Sequence, residues 1–121
     1  MGALAQGSLT EGSGDTTAYT AVSASDTFIN TPGMTFLAVD NQSGGNCTVG
    51  AAAQVASTTK QGFGNLTKGN VSVVCPTGQT TIIGTFSQAY NNSSGLVTVT
   101  FSATSSVKAR AFTIPNPATI T

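Results

Sequence analysis

From Thr16 onward the chain repeats one pattern: short runs in which apolar and polar residues alternate, separated by clusters of Gly, Asn, Ser and Pro. A period of two puts successive side chains on opposite faces of a strand, so each run predicts a half-buried β-strand. The clearest is Gly95 to Ala103, with Val97, Val99, Phe101 and Ala103 on one side and Thr98, Thr100 and Ser102 on the other. Cys47 to Val55 alternates as cleanly, its inward face made of Cys47, Val49, Ala51, Ala53 and Val55. In Val107 to Ile114 the inward residues are Val107, Ala109 and Ala111, and Lys108 and Arg110 face solvent. Met34 to Asp40 is apolar on both parities, which predicts burial on both faces, one of them against a neighbouring subunit.

Further strands are predicted at Thr17 to Val22, Asp26 to Asn30, Val71 to Cys75 and Gln79 to Phe86, making about eight in all. Pro76-Thr77-Gly78 reads as the turn of a hairpin joining the last two. Ser57 to Gly69, with Gly62, Gly64 and Gly69, reads as an exposed loop. Residues 1–15 show neither a period of two nor one of 3.6 and predict a flexible arm, anchored only by Leu4 and Leu9. The tail 115–121 holds two prolines and no pattern. Turn signals every 8 to 12 residues or so are the rhythm of a sandwich or barrel. The division expected is therefore arm 1–15, one β-sandwich domain 16–114 and tail 115–121.

Composition supports an all-β fold. The 121 residues include 13 Ser, 21 Thr and 14 Gly, with 39% hydrophobic and only 7% charged residues. That is too apolar for a disordered polymer, whose signature is low hydrophobicity with high charge. Net charge is zero, and Lys60, Lys68, Lys108 and Arg110 are all the basic side chains, so the clustered cations of a nucleic-acid binder are missing. No stretch of 18 apolar residues suggests a membrane helix, and MGALAQGSLT lacks the basic and apolar regions of a signal peptide.

Candidate chemistry is thin. With no histidine, Ser-His-Asp and Cys-His mechanisms and His-based zinc sites are excluded. The carboxylates are Glu11, Asp15, Asp26 and Asp40; Asp26 and Asp40 sit beside turns, where aspartate ordinarily caps backbone amides. The expectation is no enzyme, no metal and no cofactor. Cys47 and Cys75 fall on separate strands and read either as buried thiols or as a disulfide if those strands adjoin. Lys108 and Arg110 share a strand face, either protecting a sheet edge or meeting an acidic partner. Hydroxyl-rich outer faces with so few charges suit a surface covered by other subunits.

The runs Thr35 to Asn41 (TFLAVDN), Pro76 to Phe86 (PTGQTTIIGTF) and Gly95 to Ser102 (GLVTVTFS) resemble, in that order, motifs of small capsid-associated proteins of tailed bacteriophages. The resemblance spans about Asp26 to Ile114. It implies a decoration, or cement, protein: a single jelly-roll-like β-sandwich of about eight antiparallel strands, homotrimeric, assembled in the host cytoplasm. It would sit on the outside of the icosahedral head and bind the major capsid protein. By analogy with the extended arms of such proteins, Leu4, Leu9 and Thr10 are candidate shell or protomer contacts, with Lys108 and Arg110 beside them. Two other classes remain open: another phage structural subunit, such as a tail-tube or head-fibre protein, and a carbohydrate- or cell-surface-binding sandwich using Tyr19 and Tyr90.

Overall fold

The computed structural model describes residues 2–8, 18–31, 34–54, 57–60, 64–67 and 69–114. Its strands are β1 (Gly2–Ala3), β2 (Ala5–Ser8), β3 (Thr20–Ala21), β4 (Ser25–Ile29), β5 (Thr35–Asn41) and β6 (Cys47–Ala51). They continue as β7 (Ser57–Lys60), β8 (Gly64–Thr67), β9 (Val71–Cys75), β10 (Gln79–Gly84), β11 (Leu96–Phe101) and β12 (Val107–Thr113). One 3-10 turn, Gln88–Tyr90, precedes β11.

Two mixed sheets enclose the core in the manner of a β-sandwich. Sheet I has the order β1-β4-β11-β6-β9; sheet II has β10-β5-β12-β2, with β3 also paired to β12. From β4 to β6 and again from β9 to β12, successive strands alternate between the sheets, so their connections cross from one layer to the other. This corrects the hairpin expected at Pro76-Thr77-Gly78. β9 pairs with β6 and β10 with β5, and the turn carries the chain across the sandwich. Proline and glycine satisfy either geometry, since both need only one fixed φ and one positive φ, here 76° at Gly78.

The predicted inward faces of three strands form the core. Val97, Val99 and Phe101 of β11, Cys47, Val49 and Ala51 of β6, and Val107, Ala109 and Ala111 of β12 are all buried. At roughly 25 cal/mol per Å² of apolar area removed from water, this burial is the main term holding the sheets together. An aromatic series runs through the same core, Phe28 edge-on to Phe86 at 5.4 Å and Phe86 edge-on to Tyr90 at 5.9 Å. The inward residues Thr35, Leu37, Val39 and Asn41 of β5 are buried, but on its outer face only Ala38 is, at 1% exposure; Phe36 and Asp40 are half-buried, so the burial on both faces expected from its sequence is only partial within the single chain.

The largest departure is the N-terminal segment. The expected flexible arm is, over residues 2–8, a clip across both sheets: β1 adds to β4 and β2 to β12, each in parallel. Its propensity for strand is poor, and tertiary contacts order it instead. Between the two strands Leu4 drops into the core at 5% exposure and donates its N–H to Thr27 O at 2.9 Å. The Gln6 amide brackets the backbone of Ile29, donating to its carbonyl and accepting its N–H. Ser57 to Gly69, expected as a loop, contains a two-stranded ladder of β7 and β8. Among the described residues the ladders comprise twelve strands rather than about eight, and the two of the clip pair in parallel, not antiparallel.

Candidate interaction surfaces

Register places the outward side chains of sheet II in rows across β10, β5, β12 and the clip. Gly84, Phe36, Phe112 and Gly7 form one row; Ile82, Ala38, Arg110 and Ala5 the next; Thr80, Asp40 and Lys108 a third, with Ala21 of β3 completing it. Phe36 and Phe112 stack at 5.3 Å with an interplanar angle of 13°. A glycine is required beside them, because a Cβ on Gly84 would lie 2.2 Å from the Phe36 ring.

The Arg110 guanidinium extends this stack. Its central carbon is 5.3 Å from the Phe112 ring centre and 5.4 Å from that of Tyr19, within cation–π range of both. At the margin Ile82 is 63% exposed. Asp40 accepts a hydrogen bond from Gln42 Nε2 at 2.8 Å. The face thus joins aromatic rings, an arginine and an exposed isoleucine.

Sheet I presents a different surface. Thr98 and Thr100 of β11, Thr48 and Gly50 of β6 and Ser72 of β9 line a shallow open groove of about 690 Å³. Gly50 keeps it flat, since a Cβ there would stand 3.0 Å from Thr100 Oγ1.

Of the residues expected to make contacts, Lys108 and Arg110 lie on one face and belong to the sheet II surface; Lys108 is exposed and Arg110 half-buried. They are not edge protection. β12 lies inside its sheet, with β5 on one side and β2 and β3 on the other. Leu4 belongs to the core and is withdrawn from any surface role in this conformation. Leu9 and Thr10 lie outside the described residues. Tyr90, one of two aromatics considered for sugar binding, is buried and donates its hydroxyl to Gly69 O at 2.8 Å.

Asp26 takes the capping role expected of it. Its carboxylate accepts from Ser23 N at 2.8 Å, Ser23 Oγ at 2.6 Å and Gly2 N at 3.1 Å, tying the clip to β4. Asp26 lies in sheet I and Asp40 in sheet II. Among the described residues no group of three or more His, Cys, Asp or Glu side chains is arranged to hold a metal ion.

Two polar residues escaped the sequence reading. Asn41 is fully buried; its Nδ2 donates to Cys75 O at 2.8 Å and Gly45 O at 3.0 Å, while its Oδ1 accepts from Ser43 N and Ser43 Oγ. It locks the turn after β5 to the end of β9. Asn30 plays a similar part, donating to Asn91 Oδ1 at 2.8 Å and Phe86 O at 3.2 Å. The signal for Asn41 was its place before Ser43-Gly44-Gly45, the setting of an Asx turn.

No protein-family model matches the chain, and no curated protein or solved structure matches it either.

Proposed function

We propose that this chain is a capsid decoration protein of a tailed bacteriophage, a trimeric jelly roll that binds the outside of the head and strengthens contacts between major capsid subunits. The jelly-roll part of the reading is supported by strand order. Setting aside the clip and the β7–β8 ladder leaves β3, β4, β5, β6, β9, β10, β11 and β12, all paired antiparallel. Numbered from first to eighth, they run first-eighth-third-sixth in one sheet and second-seventh-fourth-fifth in the other. Two interlocked Greek keys have that order.

A fold hosts many functions, so the functional reading rests on the surface and on the motif order. The observation that carries it is the outer face of sheet II: Phe36, Phe112, Tyr19 and Arg110 are the residue types that dominate protein–protein contacts, in a chain with only eight charged side chains. The three resembling motifs fall on β5, on β10 with its preceding turn, and on β11. A cement role needs no chemistry, because many symmetric copies each adding a modest interface stabilise a shell by mass action and multivalency. In this reading Lys108 and Arg110 contact the capsid or a neighbouring protomer, and the protein resides on the virion exterior.

The test is light scattering in solution followed by co-sedimentation with phage heads assembled without a decoration protein. The reading predicts a particle of three 12.0 kDa chains that pellets with the heads. A monomer that stays in the supernatant at saturating concentration overturns it.

A further inference from the structure

We infer that Cys47 and Cys75 form a disulfide-forming pair, a modification site at which oxidation by a small disulfide such as oxidised glutathione fastens the outer strand of sheet I to its neighbour. The two residues are Cα partners in the antiparallel β6–β9 ladder, directly opposite one another. Both are wholly buried and both point into the same core, so their side chains leave the sheet on the same face. Directly opposed residues in an antiparallel ladder have Cα atoms about 4.5–5.5 Å apart, inside the roughly 4.4–6.8 Å range that disulfides span. A bridge therefore needs no change of register.

The surroundings of the pair leave few competing roles for it. Cys47 Sγ lies 3.5 Å from Ala103 O as a weak donor, and the carbonyl of Cys75 is held by Asn41 Nδ2. Burial pushes the Cys75 thiol up from its ordinary pKa; a hydrogen bond with the Thr81 side chain opposes this and the neighbouring Cys47 adds to it. The attacking species is the thiolate, and burial of both thiols keeps the oxidant from them while the strands are closed. Access comes through the sheet's edge. Among the described residues β9 pairs only with β6, and local opening of an edge strand requires less free energy than global unfolding.

The exchange balances in two steps. One cysteine loses its proton, and its thiolate attacks oxidised glutathione, forming a mixed disulfide and releasing one glutathione thiolate. The second cysteine, also deprotonated, attacks the protein sulfur of that mixed disulfide, closing the Cys47–Cys75 bond and releasing the second glutathione thiolate. Two protein thiols are oxidised by two electrons, one glutathione disulfide is reduced, and the two protons pass to the departing thiolates. The closed bridge encloses residues 48–74, with β7 and β8 between its ends in sequence, and ties down the strand from which the chain crosses to sheet II.

The experiment equilibrates the native full chain in buffers of rising oxidised-to-reduced glutathione ratio, then quenches with acid, denatures, alkylates and measures the mass. A parallel set starts from urea-unfolded chain refolding in the same buffers, so that slow access to buried thiols cannot hide the equilibrium. The expected product at oxidising ratios is a single chain that takes up no alkyl groups and retains no glutathione, with a higher urea midpoint than the reduced form. A Cys47→Ala chain should take up one alkyl group, or one glutathione, throughout. Two alkylated thiols at every ratio in both sets overturn the inference, as does a product consisting only of glutathione adducts or of disulfide-linked dimers.

Discussion

On the outer face of sheet I, Thr98 and Thr100 stand beside Thr48 and Ser72 around Gly50; on the outer face of sheet II, Phe36 and Phe112 stack beside Arg110. Both faces are built by the same alternation on antiparallel strands. Hydroxyls on a flat sheet are well solvated and share the sheet I face with the exposed Val74 and Ile29, whereas on sheet II the packed rings, Phe112 only 8% exposed, hold the Arg110 guanidinium in a defined geometry. Alternation decides which residues face outward, and the identity of those residues gives the two faces different surface chemistry.

Substitutions on the two faces sharpen or break this contrast. The largest effect is expected for Phe112→Ala, which removes a ring that is only 8% exposed, stacked on Phe36 and lying under Arg110. It should cost about 3 kcal/mol in urea unfolding. Next is Gly84→Ala, whose Cβ would displace the Phe36 ring from that stack, at about 2 kcal/mol as for overpacking elsewhere. Arg110→Ala should lower stability by only about 1 kcal/mol, the scale of a partly exposed cation–π contact. The paired change Thr98→Val and Thr100→Val on sheet I should move the unfolding free energy by less than about 0.5 kcal/mol. If the threonine pair proved as costly as Phe112→Ala, the two faces would be energetically alike and the contrast would fail.

How much of this was legible in the sequence depends on range. Parity is local, so the inward residues of β6, β11 and β12 could be read directly, and they are the core. Pairing is not local. The Pro76-Thr77-Gly78 turn serves a crossover as well as a hairpin, and only the partners of β9 and β10 in different sheets tell the two apart. The clip was illegible for a related reason: AQGS has little strand propensity, and its order comes from Leu4 in the core, the Gln6 amide on Ile29 and the Asp26 carboxylate on Gly2, all more than twenty residues away in sequence. On the candidate surface, Lys108 and Arg110 were visible as a pair on one strand face, but the rings of Tyr19 and Phe112 around the guanidinium follow from tertiary placement.

In the proposed function sheet II, through Arg110 and its aromatic neighbours, is the face that meets the capsid. Its most direct test is a head-binding titration comparing the parent protein, Arg110→Ala and the Thr98→Val/Thr100→Val pair, each first shown to be folded. The account predicts at least a tenfold loss of affinity for Arg110→Ala, equivalent to about 1.4 kcal/mol, and parent-like binding for the threonine pair. Parent-like binding by Arg110→Ala together with a tenfold loss for the threonine pair would contradict it and move the contact to the opposite sheet.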